Sequence, residues 1–211
     1  ELDIVQLHWS TARYNPWQEF QLVENLSNLI DEGYHFKIGL SNIGPKRLQK
    51  IINFLATKNK VINSVQVQFS LLSPDIEKQR TLKKLCQENS IEFIAYSPLS
   101  FGILCQDPTL IKKTKKSLLR NSIFKAYSES TLELRKSIKE IAEKRSVSMA
   151  QVAVNWCCYQ GAIPLVGLRK KSHVNDISRV LKWDLSKSEY NKLEELSKYC
   201  KKLPGNPFSS N

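Results

Sequence analysis

Short apolar segments alternate with longer stretches of helical periodicity along this chain, and this alternation restricts the possible fold more than any other feature. The short segments are too brief for ordinary helices, and strands separated by helices are typical of a parallel sheet that is buried on both faces. We therefore predict an α/β fold. The predicted strands are Ile4 to His8, Lys37 to Ser41, Val65 to Phe69, Glu92 to Tyr96 and Ala162 to Val166.

Apolar residues recur at helical spacing between these strands, and two capping-box patterns mark helix starts. The patterns are Ser148 to Gln151 and Ser186 to Glu189, and the second predicts a terminal helix that ends near Tyr199. Pro98 to Ser130 is the least regular portion, and a long loop after a strand is often functional. The other predicted helices contain Leu22 to Ile30, Leu48 to Leu55 after Pro45, Leu82 to Cys86, and Leu134 to Ala142.

Composition limits the class of protein. The chain has 211 residues, which suits one domain, and its hydrophobic fraction of 41% is ordinary for a globular protein. No segment reaches the roughly 20 apolar residues of a transmembrane helix, and no signal-peptide pattern is present, so we expect a cytoplasmic protein without a membrane partner. Five cysteines without CxxC or Cys/His spacing predict reduced thiols and no metal site.

The formal charge of +12 raises the question of nucleic-acid binding. Lys112 to Lys116 form a basic run, but the other charges are scattered through amphipathic helices and lysines far outnumber arginines. Phosphate attraction alone does not identify a biological ligand, so we expect no specific nucleic acid. Binding through basicity stays open as the weakest of three functional hypotheses.

Polar or small residues follow the predicted strands where each strand ends. In a barrel of parallel strands the carboxyl ends meet at one rim, so these side chains are expected to lie close together and to form a common site. The residues are His8, Ser41 with Asn42, Gln66 with Gln68, Tyr96 with Ser97, and Gly167 before Arg169.

Taken in order, these segments resemble the aldo-keto reductase family, especially its bacterial and plastid-type oxidoreductases. The resemblance implies a (β/α)₈ TIM barrel, of which residues 1–211 form a single partial domain that covers about strands 4 to 8 with their helices. It also implies that the amino-terminal strand-helix units are missing. The matching stretches are Asp3 to Trp9, Ile38 to Asn42, Val65 to Leu72, Ile94 to Leu99 and Ile163 to Gly167.

The resemblance further implies hydride transfer between NADPH, rather than NADH, and a small aldehyde or ketone. His8 matches the histidine that orients the substrate carbonyl; Ser41, Asn42 and Gln66 match residues that hold the nicotinamide carboxamide, and Tyr96 matches the aromatic that stacks on the ring. The remaining cofactor residues implied are Ser97, Leu99, Ser100 and Gly102 near the pyrophosphate, Gly167 and Arg169 near the phosphates, and Asp176 near the adenine.

Three departures from the family pattern leave alternatives open. Asp176-Ile177 stand where Glu-Asn is frequent, and His173 stands where some branches have arginine. The acid, tyrosine and lysine that join the histidine in the family's catalytic tetrad have no matching motif here. We therefore expect either part of a reductase, completed by a separate front segment or by self-association through open sheet edges, or a non-catalytic dinucleotide-binding protein.

Overall fold

The computed structural model describes residues 2–11, 14–109 and 118–206. The basic run Lys112 to Lys116 and the tail residue Pro207 lie outside these ranges. Within them, the elements in chain order are β1 (Ile4–Leu7), α1 (Pro16–Asp31), β2 (Lys37–Ser41), α2 (Pro45–Ala56), β3 (Ser64–Gln68), α3 (Ile76–Glu88), β4 (Glu92–Tyr96), a 3-10 helix (Ser100–Cys105), α4 (Leu118–Ser128), α5 (Leu132–Lys144), α6 (Met149–Tyr159), β5 (Ile163–Leu165), α7 (Lys171–Ile177), a second 3-10 helix (Val180–Lys182) and α8 (Lys187–Lys198).

The chain divides into two compact units. The first unit contains residues 1–68, 75–96 and 204–211, and the second contains residues 69–74 and 97–203. Each unit is described by itself below. That the whole chain forms one partial barrel domain stays a prediction.

The first unit contains four parallel strands in the order β1-β2-β3-β4. Val5 pairs with Ile38, Leu40 pairs with Val65, and Val65 pairs with Phe93. Apolar residues of β2 to β4 are buried, and helices α1 and α3 contact the strands, as expected for a parallel sheet that is covered by helices. The predicted parallel arrangement is confirmed for these four strands, and every predicted strand boundary lies within one residue of the observed one.

A buried ion pair joins α1 to α2 in the first unit. Arg47 donates to Glu19 over 2.5 Å, and their side chains are only 8% and 3% exposed. Arg47 also donates to the carbonyl of Pro16, and its guanidinium lies 4.4 Å from the centre of the Phe20 ring. Because both charges are removed from water, each depends on the other for its stability.

The second unit is built on α5, α6 and α8. Its core contains Trp156, whose ring stacks on Phe69 at a centroid distance of 5.1 Å. The capping box predicted at Ser186 is present in full: its hydroxyl accepts from the amide of Glu189, whose carboxylate accepts from the amide of Ser186. Ser148 also caps its helix, by accepting from the amide of Gln151.

The structure differs from the sequence-based expectation in three respects in the second unit. The Gln151 side chain does not return to Ser148, because it donates to Asp176 and accepts from Trp183 instead. The portion expected to be irregular contains the first 3-10 helix and α4. Helix α7 and the second 3-10 helix were not predicted, since α7 buries no residue and therefore carries no apolar periodicity.

The five cysteines are free thiols, and burial raises the pKa of Cys86 to about 12. Over the ranges that the structure describes, no helix combines the length and the apolar character needed to cross a bilayer.

Candidate functional site

Asn42 is the centre of a hydrogen-bonded group at the carboxyl ends of the strands in the first unit, which we call the Asn42 cluster (His8, Ser41, Asn42, Gln66 and Tyr96). Asn42 follows β2 directly and has a left-handed backbone with φ of 58°. Asparagine adopts this conformation more readily than most residues, so the chain can turn sharply at the strand end. The turn directs the Asn42 side chain towards the neighbouring strands.

The amide of Asn42 joins three strand ends. Its Nδ2 donates to the carbonyl of His8 over 3.1 Å, after β1, and to the Ser41 hydroxyl over 3.0 Å. Its Oδ1 accepts from the Tyr96 hydroxyl over 2.8 Å, at the end of β4. The Ser41 hydroxyl in turn donates to the carbonyl of Gln66 over 3.0 Å. The structure thus brings together five of the residues that the sequence analysis placed at the common rim.

Two members of the Asn42 cluster keep their polar groups available. Across the described part of the chain, the side-chain amide of Gln66 and the imidazole of His8 have no hydrogen-bond partner, although the His8 ring stacks on Trp9 at 5.0 Å. Asn42 and Ser41 are buried, with 4% and 2% exposure, whereas His8 is exposed. Asn42 and Ser41 therefore form a fixed frame, and Gln66 and His8 can contact a ligand.

Tyr96 is held as a neutral phenol. Burial raises the pKa of Tyr96, and the hydrogen bond that Asn206 donates to its hydroxyl over 3.3 Å opposes this rise.

The Asn42 cluster suits a carboxamide, which has one acceptor oxygen and an NH₂ donor. Gln66 can donate to such an oxygen, while Asn42 Oδ1 and the Ser41 hydroxyl each keep a lone pair for the NH₂ group.

A cleft of about 700 Å³ lies entirely within the second unit. Six of its lining residues were predicted as cofactor contacts from the sequence: Ser97, Leu99, Gly102, Gly167, Arg169 and Asp176. Arg169 is exposed, and its guanidinium has no ion-pair partner in the portion that the structure describes. A free guanidinium beside a cleft of this size can pair with a phosphate of a bound ligand.

Residues Ser97 to Gly102, which we call the cleft turn, form one wall of this cleft. Four of the six have positive φ: Ser97 at 55°, Ser100 at 51°, Phe101 at 58° and Gly102 at 90°. For residues other than glycine this backbone is strained, and such strain gathers at functional sites. The sequence indicated the small residues here but not the unusual conformation of Ser97, Ser100 and Phe101.

The prediction for Ser100 requires a correction. Ser100 is fully buried, and its hydroxyl donates to the hydroxyl of Ser70 over 2.9 Å instead of facing the cleft. A direct hydroxyl contact from Ser100 to a pyrophosphate is therefore not what this geometry provides. The sequence offered no sign of this bond, because its partner lies 30 residues earlier.

Asp176 lines the cleft and is also tied to helix α6. Its two carboxylate oxygens accept from the Ser148 hydroxyl over 2.6 Å and from Gln151 Nε2 over 2.7 Å. Each oxygen keeps a further lone pair, so the acid can still accept from a ligand amine. The lining residues that were not among the predicted contacts include Phe101, Cys105, Phe124 and His173. Phe124 lies on α4, in the portion expected to be a loop.

Comparison with known proteins gives a consistent result. The sequence profile of the Aldo/keto reductase family matches residues 1–198. Pyridoxal reductase, chloroplastic, of Arabidopsis thaliana is 40% identical over 200 residues, which cover 94% of this chain and 53% of the relative. The NADPH-dependent alpha-keto amide reductase of Saccharomyces cerevisiae is 28% identical, over 82% of this chain and 47% of the relative. The chain spans about half the length of these curated relatives.

Solved structures show the same fold. The glycerol dehydrogenase of Gluconobacter oxydans is similar with a TM-score of 0.75 at 24% identity, over 97% of this chain and 61% of that chain. A Gox0644 mutant in complex with NADPH has a TM-score of 0.67 at 19% identity, over 92% of this chain and 58% of that chain. At these identities the similarity concerns the fold alone, which is the TIM-barrel type of aldo-keto reductases.

Proposed function

Because this chain belongs to the aldo/keto reductase family, we propose that it forms part of an NADPH-dependent oxidoreductase that reduces a small aldehyde or ketone. The observation that carries the proposal is the Asn42 cluster, in which the backbone of a strand-end histidine is hydrogen-bonded to the side chains suited to a carboxamide. The names of two relatives, a pyridoxal reductase and an NADPH-dependent reductase, support the reaction class.

In this proposal the first unit orients the reacting groups. His8 donates a hydrogen bond to the substrate carbonyl, which polarises the carbon and fixes its direction. Gln66, Ser41 and Asn42 hold the carboxamide, and Tyr96 supports the nicotinamide ring. The reduced nicotinamide, when bound, supplies the hydride.

The second unit has a separate role, since its cleft holds the phosphates and the adenosine. The backbone of the cleft turn and the region of Gly167 meet the pyrophosphate. Arg169, with a permanent charge and a free guanidinium, pairs with the 2′-phosphate that distinguishes NADPH from NADH. Asp176, held by Ser148 and Gln151, accepts from the adenine amine.

We also propose that the chain covers about strands 4 to 8 of the barrel. Turnover then requires an acid, a tyrosine and a lysine from a front segment, which would pair along β1. A second copy of the chain could cover an open sheet edge, but it lacks the same three residues. Pyridoxal is the first substrate to test, because the Arabidopsis relative is 40% identical and is named for it. The cytoplasm is the proposed location, and a fluorescent fusion distinguishes it from the plastid named for that relative.

The first experiment measures NADPH and NADH binding to the 211-residue chain by nucleotide fluorescence. Arg169→Ala is expected to weaken NADPH binding by about tenfold or more, the value of one charge-assisted contact, and to leave NADH binding unchanged. Lys182→Ala is the matched control, because Lys182 is an exposed cation that does not line the cleft. Failure of the wild-type chain to bind NADPH would reject the proposal.

The second experiment tests turnover with the front segment supplied. His8→Ala should lower kcat/KM for pyridoxal strongly, whereas His35→Ala, at another exposed histidine outside the Asn42 cluster, should not. Equal activity of wild type and His8→Ala would reject the role of His8. NADPH binding without turnover after complementation would favour the alternative, a non-catalytic dinucleotide-binding protein.

A further inference from the structure

The cleft turn contains three consecutive residues with left-handed backbone, Ser100, Phe101 and Gly102. Only the last is a glycine, for which positive φ carries no steric penalty. Strained backbone persists only where surrounding contacts determine it. The contacts that hold this turn therefore matter for any ligand that its backbone meets.

A chain of buried serines holds the turn from behind. The Ser100 hydroxyl donates to Ser70 Oγ over 2.9 Å, and the same oxygen accepts from the amide of Leu72 over 3.2 Å. The amide of Ser70 donates to the Ser73 hydroxyl over 2.7 Å. Ser70, Ser73 and Ser100 are all fully buried, so water cannot replace a lost bond. The serine chain thus fixes the middle of the cleft turn to residues 69–74 of the same unit.

We propose that Ser100 is a positioning residue for cofactor binding, which acts through the backbone of the cleft turn and not by touching the ligand. Its bond to Ser70 keeps the strained turn in one conformation, in which Ser97, Leu99 and Gly102 line the cleft. The inference rests on the proposed function, because it takes the ligand of this wall to be the pyrophosphate of NADPH.

Two substitutions at one position separate this role from simple filling of space. Ser100→Ala removes the hydroxyl and keeps a Cβ on a strained backbone, so the competent turn is expected to become a minor conformation. Ser100→Gly also removes the hydroxyl, but glycine adopts positive φ freely. If the hydroxyl acts through the turn, glycine is the milder change. If the side chain merely fills the core, glycine is the worse change, since it leaves the larger void.

The experiment titrates the 211-residue chain with NADPH and with adenosine 2′-monophosphate, which lacks the pyrophosphate. Ser100→Ala should raise the Kd for NADPH about tenfold, as expected if about a tenth of the molecules keep the competent turn. Ser100→Gly should give an intermediate Kd. Ser70→Ala should raise the Kd at least as much as Ser100→Ala, because it removes the same bond and also the acceptor of the Leu72 amide. The double variant should show no further loss beyond Ser70→Ala. The Kd for adenosine 2′-monophosphate should stay constant in all of them.

Tyr127→Phe is the control for general loss of stability. It removes another buried hydroxyl of the same unit, which donates to the carbonyl of Lys202 over 3.2 Å, and it does not touch the cleft. Unchanged NADPH affinity in Ser100→Ala would overturn the inference alone. A parallel loss for both ligands, with glycine no better than alanine, would do the same. If the wild-type chain binds no NADPH, the proposed function fails first, and this inference fails with it.

Discussion

Replacing Asn42 with aspartate tests whether the Asn42 cluster holds the strand ends together. The side chain is 4% exposed, and its Nδ2 donates over 3.1 Å to the His8 carbonyl and over 3.0 Å to the Ser41 hydroxyl. A carboxylate keeps the bond from Tyr96 but cannot donate. Each lost bond is worth about 0.5–1.5 kcal/mol, and a buried charge that faces oxygen atoms adds to the cost. We expect the free energy of unfolding to fall by about 2–3 kcal/mol at neutral pH.

Aspartate has nearly the same shape as asparagine and also tolerates positive φ, so backbone strain cancels from the comparison. The assay is urea denaturation of both chains with linear extrapolation. The loss should shrink as the pH is lowered, because a protonated carboxyl can donate one hydrogen bond. Asn53→Asp is the matched control, since exposed Asn53 only accepts, from Gln49, and a carboxylate keeps that role. A loss no larger than in the control would refute the reasoning.

Three further predictions concern other features. Hydrogen bonds from Arg145 hold the pKa of Glu189 at about 2, below its ordinary 4.5. The contribution of Glu189 to the free energy of unfolding is therefore present above pH 4.5 and is lost as the pH falls towards 2. Glu189→Gln should lower the free energy of unfolding by about 1–2 kcal/mol at pH 7 and should flatten the acid side of its pH dependence in denaturation curves. Arg47→Met leaves Glu19 buried and unpaired and should lower the free energy of unfolding by about 3–5 kcal/mol. The double variant Arg47→Met with Glu19→Leu should recover most of this loss. A loss below about 1 kcal/mol in the single variant contradicts the prediction. Gly167→Ala should leave the thermal midpoint unchanged, because a Cβ there meets no atom within 4 Å, but should weaken NADPH binding several-fold; unchanged affinity contradicts its place beside the phosphates.

The strands and most helices were predictable because their signals are local. A strand covered on both faces has a short apolar run, and Ser186 with Glu189 forms a cap within four residues. The meeting of the strand ends was also predictable, because parallel strands bring their carboxyl ends to one edge of the sheet. This is why the residues of the Asn42 cluster could be placed together before any contact was known.

Hydrogen-bond partners that lie far apart in the sequence could not be predicted. Ser100 bonds to Ser70 and Gln151 bonds to Asp176, at separations of 30 and 25 residues, and each residue type had a plausible local role. The left-handed conformation of Ser97 and Phe101 was also hidden, because neither residue type favours it. Helix α7 escaped notice because it buries no side chain.

The discontinuity of the first unit bears on how the protein is made. Asn206 belongs to that unit and donates to Tyr96, 110 residues earlier, across a stretch that contains most of the second unit. A ribosome produces the strands β1 to β4 long before it produces residue 206. The aromatic ring proposed to support nicotinamide therefore gains this hydrogen bond only late in synthesis. The first unit can therefore be complete only after the whole of the second unit has been synthesised.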